Sequence, residues 1–421
     1  MKATGVAALG VVALSVAAAS QSRVSITRPL PWSGHGVWLE ADLHTHTRFS
    51  DGAHTVEDVV AAASRNHCDV VAITDHTDAE LKAATPDYVE AIQAARMKHP
   101  DLTVITGVEW NVPPGKGAEH ATVLFPAAEE DVGTLMTFKQ RFDDWGRKGE
   151  NPELARQGLL ALRAMAAAPI VLFNHPSRKP GSDSAPRLTF PPLARLAPDV
   201  LIGIEGAPGH QRSRQIGAYP PDSPTMDRWD PIVAATGGTW DDWLETGLDV
   251  WAAIASSDFH TEADDFWPCE FSATWIYAPD RTIDGVIKAL HAGAFFAEHG
   301  HIVTKADLQV RAEGWGRPIV PGEAAAVPSQ AKATVSLQLS VPERDFAKRE
   351  NHIDLVEVIG ISKDGARLIA SGAPDLGGVV TTTVVIPASG MVVRARGRRL
   401  IAGGPALWFY TNPIRLVAPA R

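Results

Sequence analysis

Six apolar runs in the first 260 residues end in a histidine or an acid, and this recurrence limits what the chain can fold into. "VWLEADLHTH" ends in His44 and His46, "DVVAITDH" in Asp75 and His76, and "LTVITGVEW" closes around Glu109. "APIVLFNHP" carries His175, "VLIGIEG" carries Glu205, and "VWAAIASSDFH" ends in Asp258 and His260. From about residue 36 to 300 the pattern reads strand, polar turn, helix, repeated, which predicts an α/β fold with a parallel sheet. One histidine at a strand end is usually a satisfied structural residue. Six ends so equipped fit a β/α barrel, where catalytic residues come from the C-terminal ends of several strands.

Helix signals support the alternation. Thr55 precedes "VEDVVAAASRN" with Asp58 three residues on, a predicted N-cap. In "TIDGVIKALHAG", Ile283, Val286, Ile287 and Leu290 share one face between Thr282 and Gly293. The Pro-rich stretches from Pro176 to Pro192 and from Pro208 to Pro231 read as long loops. Near residue 303 the character changes. "KATVSLQLSV" alternates through Val335, Leu337, Leu339 and Val341, and the segments after it read as strands between Gly, Pro and Asp turns. The expected division is a segment 1–20, a barrel over 36–302 and a small β-sandwich over 303–421.

The net charge of −10 gives no footing to a nucleic-acid partner, which leaves a basic signature. Lys2, the run "GVAALGVVALSVAAA" and small residues at Ala17 and Ala19 read as a signal peptide. That reading places the mature protein outside the cytoplasm, periplasmic or secreted, with no stable membrane span once the segment is removed. Cys68 and Cys269 are the only cysteines, so there is no disulfide framework. Cys68, just before a predicted buried strand, reads as a packed structural residue rather than a ligand; a bridge between the two needs an oxidising compartment, and the sequence does not argue for it.

Histidine and carboxylate donors without thiolates suit zinc, manganese or iron. In the H-x-H spacing, residues two apart on an extended chain point the same way, so His44 and His46 face one ion. A carboxylate such as Glu109 has two oxygens and bridges two ions, which can clamp an attacking and a leaving oxygen.

"DLHTHTRFSDG", "AITDH", "GVEW", "EHATVLF", "NHP" and "SSDFH", in this order, resemble the polymerase and histidinol phosphatase (PHP) superfamily of metallohydrolases over residues 36 to about 300. The resemblance implies a distorted (β/α)7 barrel with two or three divalent ions at its mouth. It implies one ion held by His44, His46, Glu109 and Asp258, a second by Glu109, His120 and His175, and a third by Asp51, His76 and His260. Asp51 stands where some members have histidine. Glu109, Asp258 and His260 would serve catalysis. Asp42 and Asp75 match acids that orient a ligand ring or hold a turn, and Glu205 matches one read as structural. "FSATWIYAPDRTIDGVIKALHAGAFF" and the final "WFYTNPIRL" resemble the carbaryl hydrolase branch, which carries a C-terminal β domain.

The leading expectation is an exported phosphoesterase acting on a small organic phosphate. Arg178 and Lys179, after His175, and His210, Arg212 and Arg214 in "GHQRSR" are its candidate phosphate contacts, set against plain solvated loops. Trp110 and Trp267 flank expected ligands and read either as pocket walls or as packing. A carbamate or carboxyl ester hydrolase is the second expectation, and a non-catalytic cell-surface binding protein the third.

Overall fold

The computed structural model of the chain describes residues 24–78, 80–115, 117–145, 151–177, 184–210 and 227–419. The proposed signal segment lies outside the described residues, as do Arg178, Lys179, Arg212 and Arg214.

The first three hundred residues supply strands β1 (Ser25–Arg28), β2 (Val37–Asp42), β3 (Val70–Ile73), β4 (Thr103–Asn111) and β5 (His120–Leu124). They continue with β6 (Ile170–Phe173), β7 (Leu201–Ile204), β8 (Ser272–Ala278) and β9 (Phe295–His299). Beyond them come β10 (Lys305–Ala312), β11 (Ala324–Ala326), β12 (Lys332–Ser340), β13 (Leu355–Ser362) and β14 (Gly365–Gly372). The last four are β15 (Val379–Val385), β16 (Met391–Arg399), β17 (Leu407–Thr411) and β18 (Ile414–Val417).

The site-bearing strands run in the order β8-β2-β3-β4-β5-β6-β7. Pairs β2–β3, β3–β4 and β6–β7 are parallel, whereas β2–β8, β4–β5 and β5–β6 are antiparallel. The expected parallel sheet is therefore mixed. Strand β5 begins at His120, too soon after β4 ends at Asn111 for the dozen or more residues that a parallel crossover needs. Past β7 the pairing among the described residues continues only as single bridges, Gly203 to Trp251 and Ala207 to Ala255. The strip beyond them meets β2's extension through Thr45 and Phe259. The paired strands thus trace an open path, with an irregular strip where a last ladder would lie.

Local signals explain the helices. In Val56–Arg65, Thr55 and Asp58 form a reciprocal capping box. Ile283–Ala292 is capped by Thr282 and ends at Gly293 in the left-handed region, with Val286, Ile287 and Leu290 buried. The stretch Pro176 to Pro192 is not all loop: Ser184–Leu196 is helical with Pro191 and Pro192 inside it. Burial of Phe190, Leu193 and Ala194 in the main core offsets the hydrogen bonds that the prolines remove. No helix among the described residues is long and apolar enough to cross a membrane.

After residue 303, β10, β12 and β15 form a three-stranded antiparallel sheet, with Val335, Leu337 and Leu339 buried on alternate positions. Strands β13, β14, β16, β17 and β18 instead continue the long sheet, because β17 pairs antiparallel with β9. Val335 and Leu337 of the small sheet share one buried cluster with Val356, Val358, Val393 and Ala395 of the long one. Two further ties cross residue 303. Arg394 donates to both carboxylate oxygens of Asp241 at 2.6 and 2.9 Å, with both side chains buried, and Arg28 and Arg415 both bond Asp249. Cys68, ahead of β3, forms a disulfide with Cys269, 201 positions away.

Candidate metal centre

Glu109 sits near the C-terminal end of β4, with the neighbouring Trp110 pointing to the other side of the strand. Trp110 is fully buried against Phe138 and donates its indole N–H to the Phe142 carbonyl, so it packs the core and does not line a substrate pocket. Both oxygens of Glu109 are surrounded by imidazole nitrogens. Oε1 lies 3.1 Å from His120 Nδ1, 3.2 Å from His175 Nε2 and 3.4 Å from His44 Nε2. Oε2 lies 3.1 Å from His76 Nδ1 and 3.2 Å from His46 Nε2. Asp258 Oδ1 closes the group at 3.3 Å from His44 Nε2 and 3.2 Å from His46 Nε2. Asp51, whose side chain is 52% exposed, stands at the outer rim. It reaches His46 Nδ1 at 3.4 Å, His260 Nε2 at 3.4 Å and His76 Nε2 at 3.8 Å.

All nine sequence-expected ligands therefore converge. Their finer grouping differs from the expected one, because His76 faces Glu109 as well as Asp51. Among the described residues, four sets have donor atoms within 4.8 Å of one another: His44, His46 and Asp258; His76, Glu109 and His120; His46, Asp51, His76 and His260; and His210, His260 and Asp265.

The other nitrogen of several rings is engaged away from the centre. His44 Nδ1 lies 2.8 Å from Glu205 Oε1, His120 Nε2 lies 3.1 Å from the Gly117 carbonyl, and His260 Nδ1 lies 2.8 Å from the Asp258 carbonyl. Each of these acceptors places the proton on the outer nitrogen and turns a lone pair inward, the arrangement that metal-bound histidines use. Glu205, read from the sequence as structural, thus orients His44. It also accepts from the Ser256 hydroxyl and the His175 N–H. Asn174 donates to Glu109 Oε1 at 2.7 Å. Neither contact had a sequence signal beyond adjacency to "NHP" and "IGIEG", since both depend on strands brought together by folding.

The two expected supporting acids bond the backbone and hydroxyls beside the centre rather than a ring. Asp42 accepts from the His44 N–H and, across the sheet, from the Ser257 N–H. Asp75 accepts from the N–H and hydroxyl of Thr47 and from Ser50, fixing the loop after His46. Two of the expected ligands have unusual backbones: φ is 28° at His175 and 46° at Asp258. Non-glycine residues rarely adopt these values, which survive only when the surroundings impose them.

His210 is brought to the site although its loop neighbours lie outside the described residues. Its Nδ1 is 2.7 Å from Asp265 Oδ1 and its ring lies 4.2 Å from that of His260. Trp267 stacks on Phe259 and lies beside His54.

The electrostatics call for positive charge at the centre. Burial opposes ionisation of Glu109 and Asp258, yet the imidazoles around them hold both carboxyls well below the usual range. Burial likewise opposes charge on His44 and His46. Asp258, Glu205 and Glu109 override it at His44, raising it well above its ordinary value, and Asp258 and Glu109 push His46 up to about 10. Burial pushes His76 down to about 3 and raises Asp42 to about 7. Protons are thus drawn onto buried rings among carboxylates, a role that divalent ions fill more completely. Nitrogen and oxygen donors without thiolates, with inward lone pairs, fit such ions.

Solved structures similar to the chain include the following three. A two-domain protein from Bacteroides vulgatus containing a predicted PHP-like metal-dependent phosphoesterase is 16% identical with a TM-score of 0.43, over 94% of this chain and 99% of that one. A protein from Bifidobacterium adolescentis described as a putative metal-dependent phosphoesterase is 16% identical with a TM-score of 0.31, over 53% of this chain and 88% of that one. An amidohydrolase from Chromobacterium violaceum, with bound sulfate and no metal, is 19% identical with a TM-score of 0.32, over 54% and 89%. No curated protein matches the chain. Residues 42–163, which carry His44, His46, Asp51, His76, Glu109 and His120, match the model of the PHP domain.

Proposed function

We propose that the protein is a metal-dependent hydrolase of the PHP type that cleaves the ester bond of a small organic phosphate. The observation that carries this reading is Glu109, a buried carboxylate with both oxygens faced by five imidazoles. Two or three divalent ions, zinc, manganese or iron, would be held by His44, His46, Asp51, His76, Glu109, His120, His175, Asp258 and His260. Bound there, such ions would supply a hydroxide near neutral pH and stabilise charge on the phosphate.

The chain's own residues prepare that chemistry. Glu205 keeps the His44 ring turned inward, and Asn174 holds Glu109 Oε1. Asp51, at the exposed rim, marks the side from which substrate enters. His210, beside His260 and held by Asp265, lies where it would contact the substrate. Arg178, Lys179 and Arg212 are the further candidate phosphate contacts. A distorted (β/α)7-type barrel closed by the irregular strip beyond β7, and a C-terminal β-sandwich joined to it through the long sheet, remain part of this proposal, as does membership of the carbaryl hydrolase branch. Export is proposed as well; the Cys68–Cys269 disulfide supports it, because such bonds persist in oxidising compartments.

Initial rates on a chromogenic phosphomonoester, a phosphodiester and an aryl carbamate, with and without chelator, test the reading. Chelator-sensitive turnover of a phosphate ester is expected. Turnover of the carbamate alone would move the assignment to the carbaryl hydrolase type, and no turnover in any metal-loaded sample would favour a binding protein.

A further inference from the structure

We propose that Asn412, in the "TNP" close to the C-terminal end, is a positioning residue for the metal centre: its buried carboxamide holds the irregular strip that delivers Asp258. The inference rests on reading Asp258 as a ligand.

The strip from Trp251 to Asp258 belongs to no ladder, so its amides are met one at a time. Trp251 N–H donates to the Ile202 carbonyl, Ala255 N–H to the Thr274 hydroxyl, Ser256 N–H to the Ala207 carbonyl and Ser257 N–H to Asp42. Between these, the N–H groups of Ala252 and Ala253 both donate to Asn412 Oδ1 at 3.2 Å. Successive N–H groups of an extended strand point opposite ways, so two adjacent amides meeting one oxygen mark a bend that a neighbouring strand would not satisfy. Asn412 is fully buried, and its Nδ2 donates to the Gly293 carbonyl at the end of the Ile283–Ala292 helix. One carboxamide therefore ties the strip, that helix and the corner between β17 and β18.

Six residues after Ala252 the strip reaches Asp258 with its φ of 46°. That conformation depends on the strip being held, and Asn412 is the anchor supplied from beyond residue 303. Replacing it by alanine would leave two buried N–H groups without an acceptor, and the strip would relax to satisfy them. The final "WFYTNPIRL" motif would then serve the centre without touching it.

Cobalt(II) affinity and visible absorption of the full chain test this, compared among wild type, Asn412→Ala and Val335→Ala. Val335→Ala opens a cavity in the buried cluster that Val335 shares with Val356 and Val393, which holds no residue of the strip, and serves as the control for general destabilisation. Asn412→Ala is expected to bind Co(II) at least tenfold more weakly with an altered spectrum, while Val335→Ala matches wild type. Wild-type binding by Asn412→Ala, or equal weakening in Val335→Ala, overturns the proposal. Should Asn412→Ala fail to fold, hydrogen exchange in the wild-type chain decides: the amides of Ala252 and Ala253 are expected to be protected without metal, and fast exchange there overturns the proposal. A wild-type chain that bound no Co(II) would instead sink the metal reading, with those amides still reporting on the strip.

Discussion

Glu109→Gln keeps the shape of the central side chain and removes the charge that both halves of the cluster share. It is expected to abolish turnover and to lower bound metal to less than half, measured by elemental analysis after gel filtration. Glu205→Gln, one layer out, keeps a hydrogen bond to His44 and loses the charge; metal affinity should fall about 10- to 100-fold. His46 gives a pH prediction. Its folded value of about 10 lies above the ordinary 6.5, so in metal-free protein its proton stabilises the fold fully below pH 6.5. That contribution is lost as pH rises through about 10. A metal-bound ring has already given up the proton, so metal affinity should rise over the same window. The Tm of chelator-treated protein should therefore fall from pH 7 to 10 while that of loaded protein holds; a rising metal-free Tm would contradict the assignment. The nine candidate ligands were legible as a set, most because donor types follow apolar runs, and His120 and Asp51 because of their place in an ordered motif set. Glu205 and Asn174 were not, since what they touch is decided by strands far apart in sequence.

Among the elements, local signals were read well where local physics decides. The Thr55 capping box and the Gly293 stop appear where the residues place them, and Thr55→Ala should cost about 1 kcal/mol in chemical denaturation. Strand direction was read less well, because apolar runs look alike in parallel and antiparallel pairs; only the short span from Asn111 to His120 held the clue to the β4–β5 hairpin. The helix through Pro191 and Pro192 escaped the sequence for a similar reason, its support coming from core contacts. Cys68 and Cys269 were visible only as two residues. Reducing their bond opens a loop of about two hundred residues and should lower stability by about 2–5 kcal/mol, read from urea midpoints with and without reductant.

For the whole molecule, the change of pattern near residue 303 is real in composition, yet the long sheet runs through it. Pairing of β17 with β9, the buried Arg394–Asp241 pair and the Asn412 carboxamide all join later residues to the site-bearing part. Arg394→Ala leaves Asp241 buried and unpaired, a loss of about 3–5 kcal/mol. A chain ending at residue 303 is expected to lose both the fold and the metal, although every proposed ligand precedes that point. The centre around Glu109 is proposed to bind divalent ions. The most direct test is the number of ions retained per chain after dialysis, by elemental analysis, for wild type beside Glu109→Ala. Two or three ions per wild-type chain, and a clear loss in the variant, is the predicted result; a folded wild-type chain that retains none after loading with zinc, manganese or iron would contradict it.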